Sequence, residues 1–228
     1  MTTNNPTSTN STWTGMVPVD DTALAVTDTG GPGIPVVFLN GQFATQGYWR
    51  HVIADLGTGW RHITYDERAR GRKSGRSADY SFEAAVRDVD AVLAARGVDR
   101  AVLVGWSYGA VVGAHWAHRN PHRTIGAVLV DGAFPYDWLD EAMEQRIRKM
   151  FRRMNMFMPL LRPTGLTPRM NAEQMAESNI ERDGSPANVN WARCWTPSPS
   201  RCGTWSPRGR PSAARATSRN ASGPASTR

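Results

Sequence analysis

Cysteine is nearly absent: the 228 residues hold two, Cys194 and Cys202, both close to the C-terminus. A lone pair without companion histidines matches no common metal spacing, so neither a zinc site nor a disulfide framework is expected. Long apolar runs are missing as well. None approaches the roughly 20 residues needed to cross a bilayer, and the start "MTTNNPTSTNSTWTG" has neither the basic residues nor the apolar stretch of a secretion signal. A cytoplasmic protein with no membrane partner and a disordered leader over residues 1–15 is the expectation. No glycine-rich phosphate loop follows Leu39, which weighs against a nucleotide-binding sheet. Histidine stops early: the five are His51, His62, His115, His118 and His122.

Acid is lacking only at one end. The net charge is +7, but residues 191–228 carry seven arginines and no carboxylate, so residues 1–190 are neutral overall. The basicity is a property of the tail, and an arginine tail alone is a weak indication of nucleic acid; no specific nucleic-acid partner is expected. The same 38 residues contain no Val, Ile, Leu, Met, Phe or Tyr, yet hold three tryptophans. Taken literally the segment is a disordered Arg/Ser/Pro-rich tail. Of the 27 basic residues 25 are arginine, which suggests a GC-rich gene. Read one frame over with GC-rich codons, the stretch from Arg193 to Trp205 becomes Val-Leu-Asp-Ala-Val-Pro-Val-Pro-Val-Arg-Tyr-Val, a strand-like sequence. The expectation is a truncated or frameshifted C-terminus beginning near Arg193.

What is present in residues 16–134 is an α/β rhythm. "TALAVTD" alternates, Gly30-Gly31-Pro32-Gly33 marks a turn, and Ile34 to Leu39 is continuously apolar, which predicts a hairpin edge followed by a buried strand. Tyr48, Val52 and Leu56 keep a helical spacing, and "WRHITYDERARGRKSG" supplies a strand ending in a basic loop. Ser81 is a helix cap before Phe82, Val86, Val89 and Leu93, which share one helix face, and Gly97 ends that helix. "AVLVGW" is a strand, residues 108–119 a helix stopped by Asn120-Pro121, and "IGAVLVDG" another strand. Continuous apolar strands separated by helices predict a mostly parallel sheet covered on both faces. Over residues 135–190 only helical spacing persists. Seven of the nine methionines fall between 143 and 175, either as core filler or as an adaptable surface over a pocket; a lid is the favoured reading.

Within this frame Gly105-Trp106-Ser107-Tyr108-Gly109 follows a strand and opens a helix. Small residues at 105 and 109 let the backbone make a tight turn that presents Ser107, and the helix N-terminus favours a developing oxyanion. An ordinary turn serine is the alternative.

Here the chain resembles the α/β-hydrolase superfamily, through "VVFLNGQF", "YDERARGRKSG" as a variant of its Asp-x-Arg-Gly-x-Gly loop, "GWSYG" and "LVDGAFPYDW". The resemblance implies a cofactor-free hydrolase of a small-molecule substrate, with Ser107 as nucleophile. Its oxyanion hole would be the backbone amides of Gln42 and Tyr108, and Gly105 and Gly109 its elbow glycines. Asp131, closing "AVLVDG", stands at one of the family's two acid positions; a turn former before Gly132 is the other reading. Most relatives have His-Gly where this chain has Asn40-Gly41. A serine at 107 argues against the haloalkane dehalogenase and epoxide hydrolase branches, whose nucleophile is an aspartate, and leaves ester, lactone, amide or carbon-carbon bond hydrolases. The family's histidine follows the eighth strand, and no histidine lies there in this chain, so impaired activity is expected. A non-catalytic binding protein is the alternative. Strands seven and eight are not recognisable, and an exposed sheet edge with poor solubility is expected.

Overall fold

The computed structural model describes residues 11–132, 139–164 and 167–184. The sheet has six strands in the order β1-β2-β4-β3-β5-β6. β1 (Trp13–Val19) and β2 (Thr22–Asp28) form an antiparallel hairpin from Trp13↔Asp28 to Val19↔Thr22. β2 then pairs antiparallel with β4 (Trp60–Asp66). β3 (Ile34–Leu39) lies parallel between β4 and β5 (Ala101–Trp106), and β6 (Thr124–Val130) runs parallel to β5.

Two sequence expectations need correcting here. β1 starts at Trp13, so the last three residues assigned to the leader belong to the sheet. The hairpin is not centred on Gly30 to Gly33: its turn is Asp20-Asp21, with Asp20 at a left-handed φ of 41°. The glycines instead carry the chain from one side of β4 to the other, since β2 and β3 both pair with β4.

One face of the sheet is deeply covered. α2 (Phe82–Ala95) and α3 (Tyr108–Arg119) bury Val86, Val89, Leu93, Val112 and Trp116 against Val37, Leu39, Ile63 and Leu103. The Ser81 hydroxyl caps α2 by accepting from the Ala84 amide, and Gly97, at φ 62°, takes the left-handed conformation just past its end. The other face is thinly covered by α1 (Arg50–Leu56), where Phe38, Val36 and Trp49 pack with Ile53 and Trp106. The Tyr48, Val52 and Leu56 stripe that signalled a helix faces solvent, and Trp49 and Ile53 do the packing. β2 is clamped from below by a buried ion cluster: Asp28, fully buried, accepts from Arg61 and Arg96, which hold its carboxyl down at about 2.

The helical segment α4 (Glu141–Met154), α5 (Met158–Leu161) and α6 (Ala172–Gly184) has a core of its own. Ile147, Phe151, Met158, Met170 and Met175 pack together and onto Ala69 in the loop after β4. Three of the clustered methionines are therefore core filler, while Met150, Met154 and Met156 are exposed. Residues 1–10, 133–138 and 185–228 lie outside the described residues, and with them "AFPYDW", both cysteines and the arginine tail with its proposed change of frame. Among the described residues no helix is long and apolar enough to cross a membrane, and no cluster of His, Cys, Asp and Glu could hold a metal ion.

Candidate active site

The site is built where β5 turns into α3. Ser107 is the turn residue, at φ 51° and ψ −119°, a conformation costly for a residue with a side chain. Its amide donates to the Val130 carbonyl at 2.9 Å, and its own carbonyl accepts from Ala110 at 3.1 Å. A serine at a helix N-terminus ordinarily has extended backbone and caps with its hydroxyl, as Ser81 does for α2. Ser107 does neither: its hydroxyl makes no capping hydrogen bond. The turn demands its two glycines. A Cβ on Gly105 would sit 2.4 Å from the Gly109 carbonyl oxygen, and one on Gly109 only 2.2 Å from the Leu39 carbonyl oxygen. The second contact presses the first turn of α3 against the end of β3, where the Asn40-Gly41-Gln42 loop begins.

Asn40 holds that loop. It is buried, its Nδ2 donates to the Tyr65 carbonyl at 2.7 Å and to Glu67 Oε2 at 3.0 Å, and its Oδ1 accepts from Trp49 Nε1 at 2.8 Å. Its amide donates to Glu67 Oε1 at 3.3 Å. Asn40 thus ties the end of β3 to β4, to the loop after it and to Trp49. Burial pushes the Glu67 carboxyl up to about 7, against the hydrogen bond from Asn40 and the attraction of Arg70.

A small cavity of about 30 Å³ lies beside the turn, lined among others by Gly41, Phe43, Glu67, Arg70, Tyr108 and Met170. Arg68, also in its wall, is fully engaged: it grips Asp88 with two hydrogen bonds of 2.9 and 2.7 Å and reaches Asp20 at 2.6 Å. Arg70 is different. It is 7% exposed, lies over the Phe43 ring at 4.7 Å, and hydrogen-bonds to Met170 Sδ at 3.0 Å and to the Arg68 carbonyl at 3.5 Å.

The model of the "alpha/beta hydrolase fold" family matches residues 34–179. The chain belongs to this family. A haloalkane dehalogenase from Mesorhizobium japonicum is 26% identical over 72% of this chain and 50% of its own length. A putative carbamate hydrolase from Klebsiella pneumoniae is 35% identical over 44% of this chain and 39% of its own, and epoxide hydrolase B from Mycobacterium tuberculosis is 36% identical over 44% and 29%. The chain spans half or less of the length of these curated relatives. Among solved structures, an α/β hydrolase from a Medee basin deep-sea metagenome aligns at TM-score 0.62 with 17% identity, covering 74% of this chain and 72% of that one. A hydrolase from Pseudomonas aeruginosa aligns at 0.60 with 21% identity, over 75% and 72%. Both share the fold.

Within this hydrolase fold the expected residues fall as follows. Ser107, Tyr108, Gly105 and Gly109 share the elbow, and Gly109 abuts the loop that carries Gln42. Tyr108 and Gly41 line the cavity; their chain neighbours Ser107 and Gln42 are not among its lining residues. Asp131 directly follows Val130, whose carbonyl receives the Ser107 amide, but it is exposed, at a left-handed φ of 50°. No histidine lines the cavity. His115 is buried edge-on against Phe82 and His62 packs near Phe38, whereas His51, His118 and His122 are exposed. Sequence reading missed Glu67 and Arg70. The signal available was a Glu and a second Arg inside "YDERARG", charged residues on the loop that follows β4.

Proposed function

We propose that this chain is a serine hydrolase of the α/β class, acting on a small ester-like substrate through an acyl-enzyme without a cofactor. Ser107 Oγ would attack the substrate carbonyl, and the oxyanion would be held by the backbone amides of Gln42 and Tyr108, the latter at the positive end of α3. The leaving group would depart with a proton, and water would then release the acyl group. The observation that carries this reading is the backbone of Ser107: a non-glycine residue at φ 51° whose hydroxyl does not cap its helix. Strain of this kind persists where the surrounding structure fixes a functional group. The helices of residues 139–184 would serve as the lid, and Asp131 is the acid of the reading.

A serine at 107 supports acyl chemistry, of the kind the name of the putative carbamate hydrolases implies, over the chemistry named for the dehalogenase and epoxide hydrolase relatives. Turnover should be weak. Serine needs a base to take its proton, a contribution of about 10²- to 10⁴-fold, and no histidine lines the cavity or follows residue 122. A fluorophosphonate probe tests both halves. The expected result is slow adduct formation confined to Ser107 and lost in Ser107→Ala. Labelling that survives that substitution would overturn the nucleophile, and labelling as fast as a base-assisted hydrolase would overturn the impairment. The absence of any adduct would favour a non-catalytic binding protein, the reading that the missing histidine supports.

A further inference from the structure

Arg70 is a cation in the wrong surroundings. Moving a guanidinium out of water is costly unless a carboxylate or several good acceptors meet it, and burial does pull its pKa down. Among the described residues no carboxylate lies within ion-pair distance of it, whereas Arg68, two residues earlier, meets Asp20 and Asp88. Its acceptors are a thioether sulfur at 3.0 Å and one carbonyl at a long 3.5 Å, both taken by the same Nη1. Glu67, the nearest acid in the cavity wall, spends its two oxygens on the amide and side chain of Asn40. The Arg70 Nε and Nη2 donate to no partner among the described residues, both hydrogen bonds being made by Nη1, and the N–H edge they form matches the two oxygens of a carboxylate.

We infer that Arg70 is a binding residue for a monocarboxylate, and that the substrate of the Ser107 site carries a free carboxylate seated on the Arg70 edge between Phe43, Tyr108 and Met170. The charge arithmetic selects a monoanion. The cavity wall contributes two cations, Arg68 and Arg70, and two carboxyls, Asp88 and Glu67. Arg68 is matched by Asp88 and Asp20, so one positive charge, that of Arg70, remains while Glu67 holds the proton that burial favours, and a phosphate dianion would bring a charge with no partner. The second half of this inference rests on the serine-hydrolase reading, whereas the binding half does not. The sulfur of Met170 occupies the Nη1 donor as a weak acceptor that an incoming oxygen displaces without loss.

The test is a titration of the full 228-residue chain with two matched pairs, benzoate against benzamide and acetate against acetamide, followed by calorimetry and by thermal shift. Each pair holds shape nearly constant and changes the charge. Carboxylates should bind at least about tenfold more tightly than their amides. Arg70→Gln should remove that ratio, and Arg70→Lys should retain part of it as a point charge without the fork. If Arg70→Gln unfolds, Arg70→Met keeps the packing against Phe43 and Met170 and should equally abolish the preference. Equal binding of acid and amide, no binding of either, or a carboxylate preference that survives both apolar and amide replacements would overturn the proposal. Fluorophosphonate labelling is scored separately. Carboxylate binding without a Ser107 adduct leaves the Arg70 site standing and removes the hydrolase reading; an adduct without carboxylate preference does the reverse.

Discussion

At the scale of single residues, Glu67 decides how the site responds to pH. Its carboxyl is raised from the ordinary 4.5 to about 7, chiefly by burial. Between those two values the folded chain holds a proton that the unfolded chain has released. Stability therefore falls as pH rises through that window and stays lower above it, by something on the order of 3 kcal/mol. Glu67→Gln has no proton to lose. It gives up one of the two acceptors used by Asn40 and should be less stable in absolute terms, but its stability should change less between pH 5 and pH 8. Urea unfolding of both proteins at the two pH values measures the difference, and equal losses in both would show that Glu67 does not titrate in that window. Ser107 could be found from sequence because its turn needs Gly105 and Gly109, and small residues leave a visible pattern. Glu67 and Arg70 show in the sequence only as charges within a basic loop, because their importance comes from what surrounds them after folding. An Asn at 40 that satisfies both oxygens of Glu67, and a Met at 170 a hundred residues from Arg70, are facts of the tertiary structure.

At the scale of elements, the loop after β4 is tied to α2 by Arg68 and Asp88, whose side chains are 4% and 3% exposed. Both ions have been taken out of water, but Arg68 also reaches Asp20 whereas Asp88 meets Arg68 alone among the described residues. Removing Arg68 leaves Asp88 a buried, uncompensated charge, at about 3 to 5 kcal/mol, while removing both in favour of apolar residues costs far less. Arg68→Met should destabilise by about 3 kcal/mol or more, Asp88→Leu by less because Asp20 still meets Arg68, and the double variant should be more stable than Arg68→Met. Chemical unfolding of the three variants gives the coupling; additive losses would mean that the pair is not the unit that holds the loop. The same loop shows which elements could be recognised beforehand. Phe82, Val86, Val89 and Leu93 repeat over a complete helix and are all buried, so α2 followed from spacing alone. β1 did not: Pro18 and Gly15 interrupt it, its inward positions are few, and its turn is Asp20-Asp21 instead of a glycine pair. Gly30 to Gly33 looked like the turn because sequence displays local reversals, whereas the pairing of β2 with β4 joins segments more than thirty residues apart. Ala69 adds a further departure from local rules. It stands at φ 57°, fully buried under the helical segment, a left-handed conformation that favours glycine.

At the scale of the whole molecule, the described sheet ends in β1 on one side and in β6 on the other. On the first side the β1–β2 hairpin is anchored by Asp28, clamped by two arginines. At the opposite edge β6 pairs only with β5 among the described residues, and Ile125, Val128, Leu129 and Val130 are 40–51% exposed. Pairing in register with Val104 and Trp106 puts Val128 and Val130 on the thinly covered face, where the exposed Tyr48 stacks on Trp106. Unpaired backbone and apolar side chains on the same strand make a template for another chain. The protein should self-associate with rising concentration, from tens of micromolar upward. A charge at the centre of the strand should oppose this, because a second strand would have to bury it. Val128→Lys is expected to weaken the association by about tenfold while leaving the Val104 and Leu103 core in place, and sedimentation velocity across a concentration series measures both proteins. A chain that stays monomeric throughout, or one whose association ignores the lysine, would show that the β6 edge is not the adhesive surface. The fluorophosphonate and carboxylate experiments should therefore be run on Val128→Lys as well as on the parent, since that substitution lies outside the cavity wall and separates events at Ser107 and Arg70 from those at the edge.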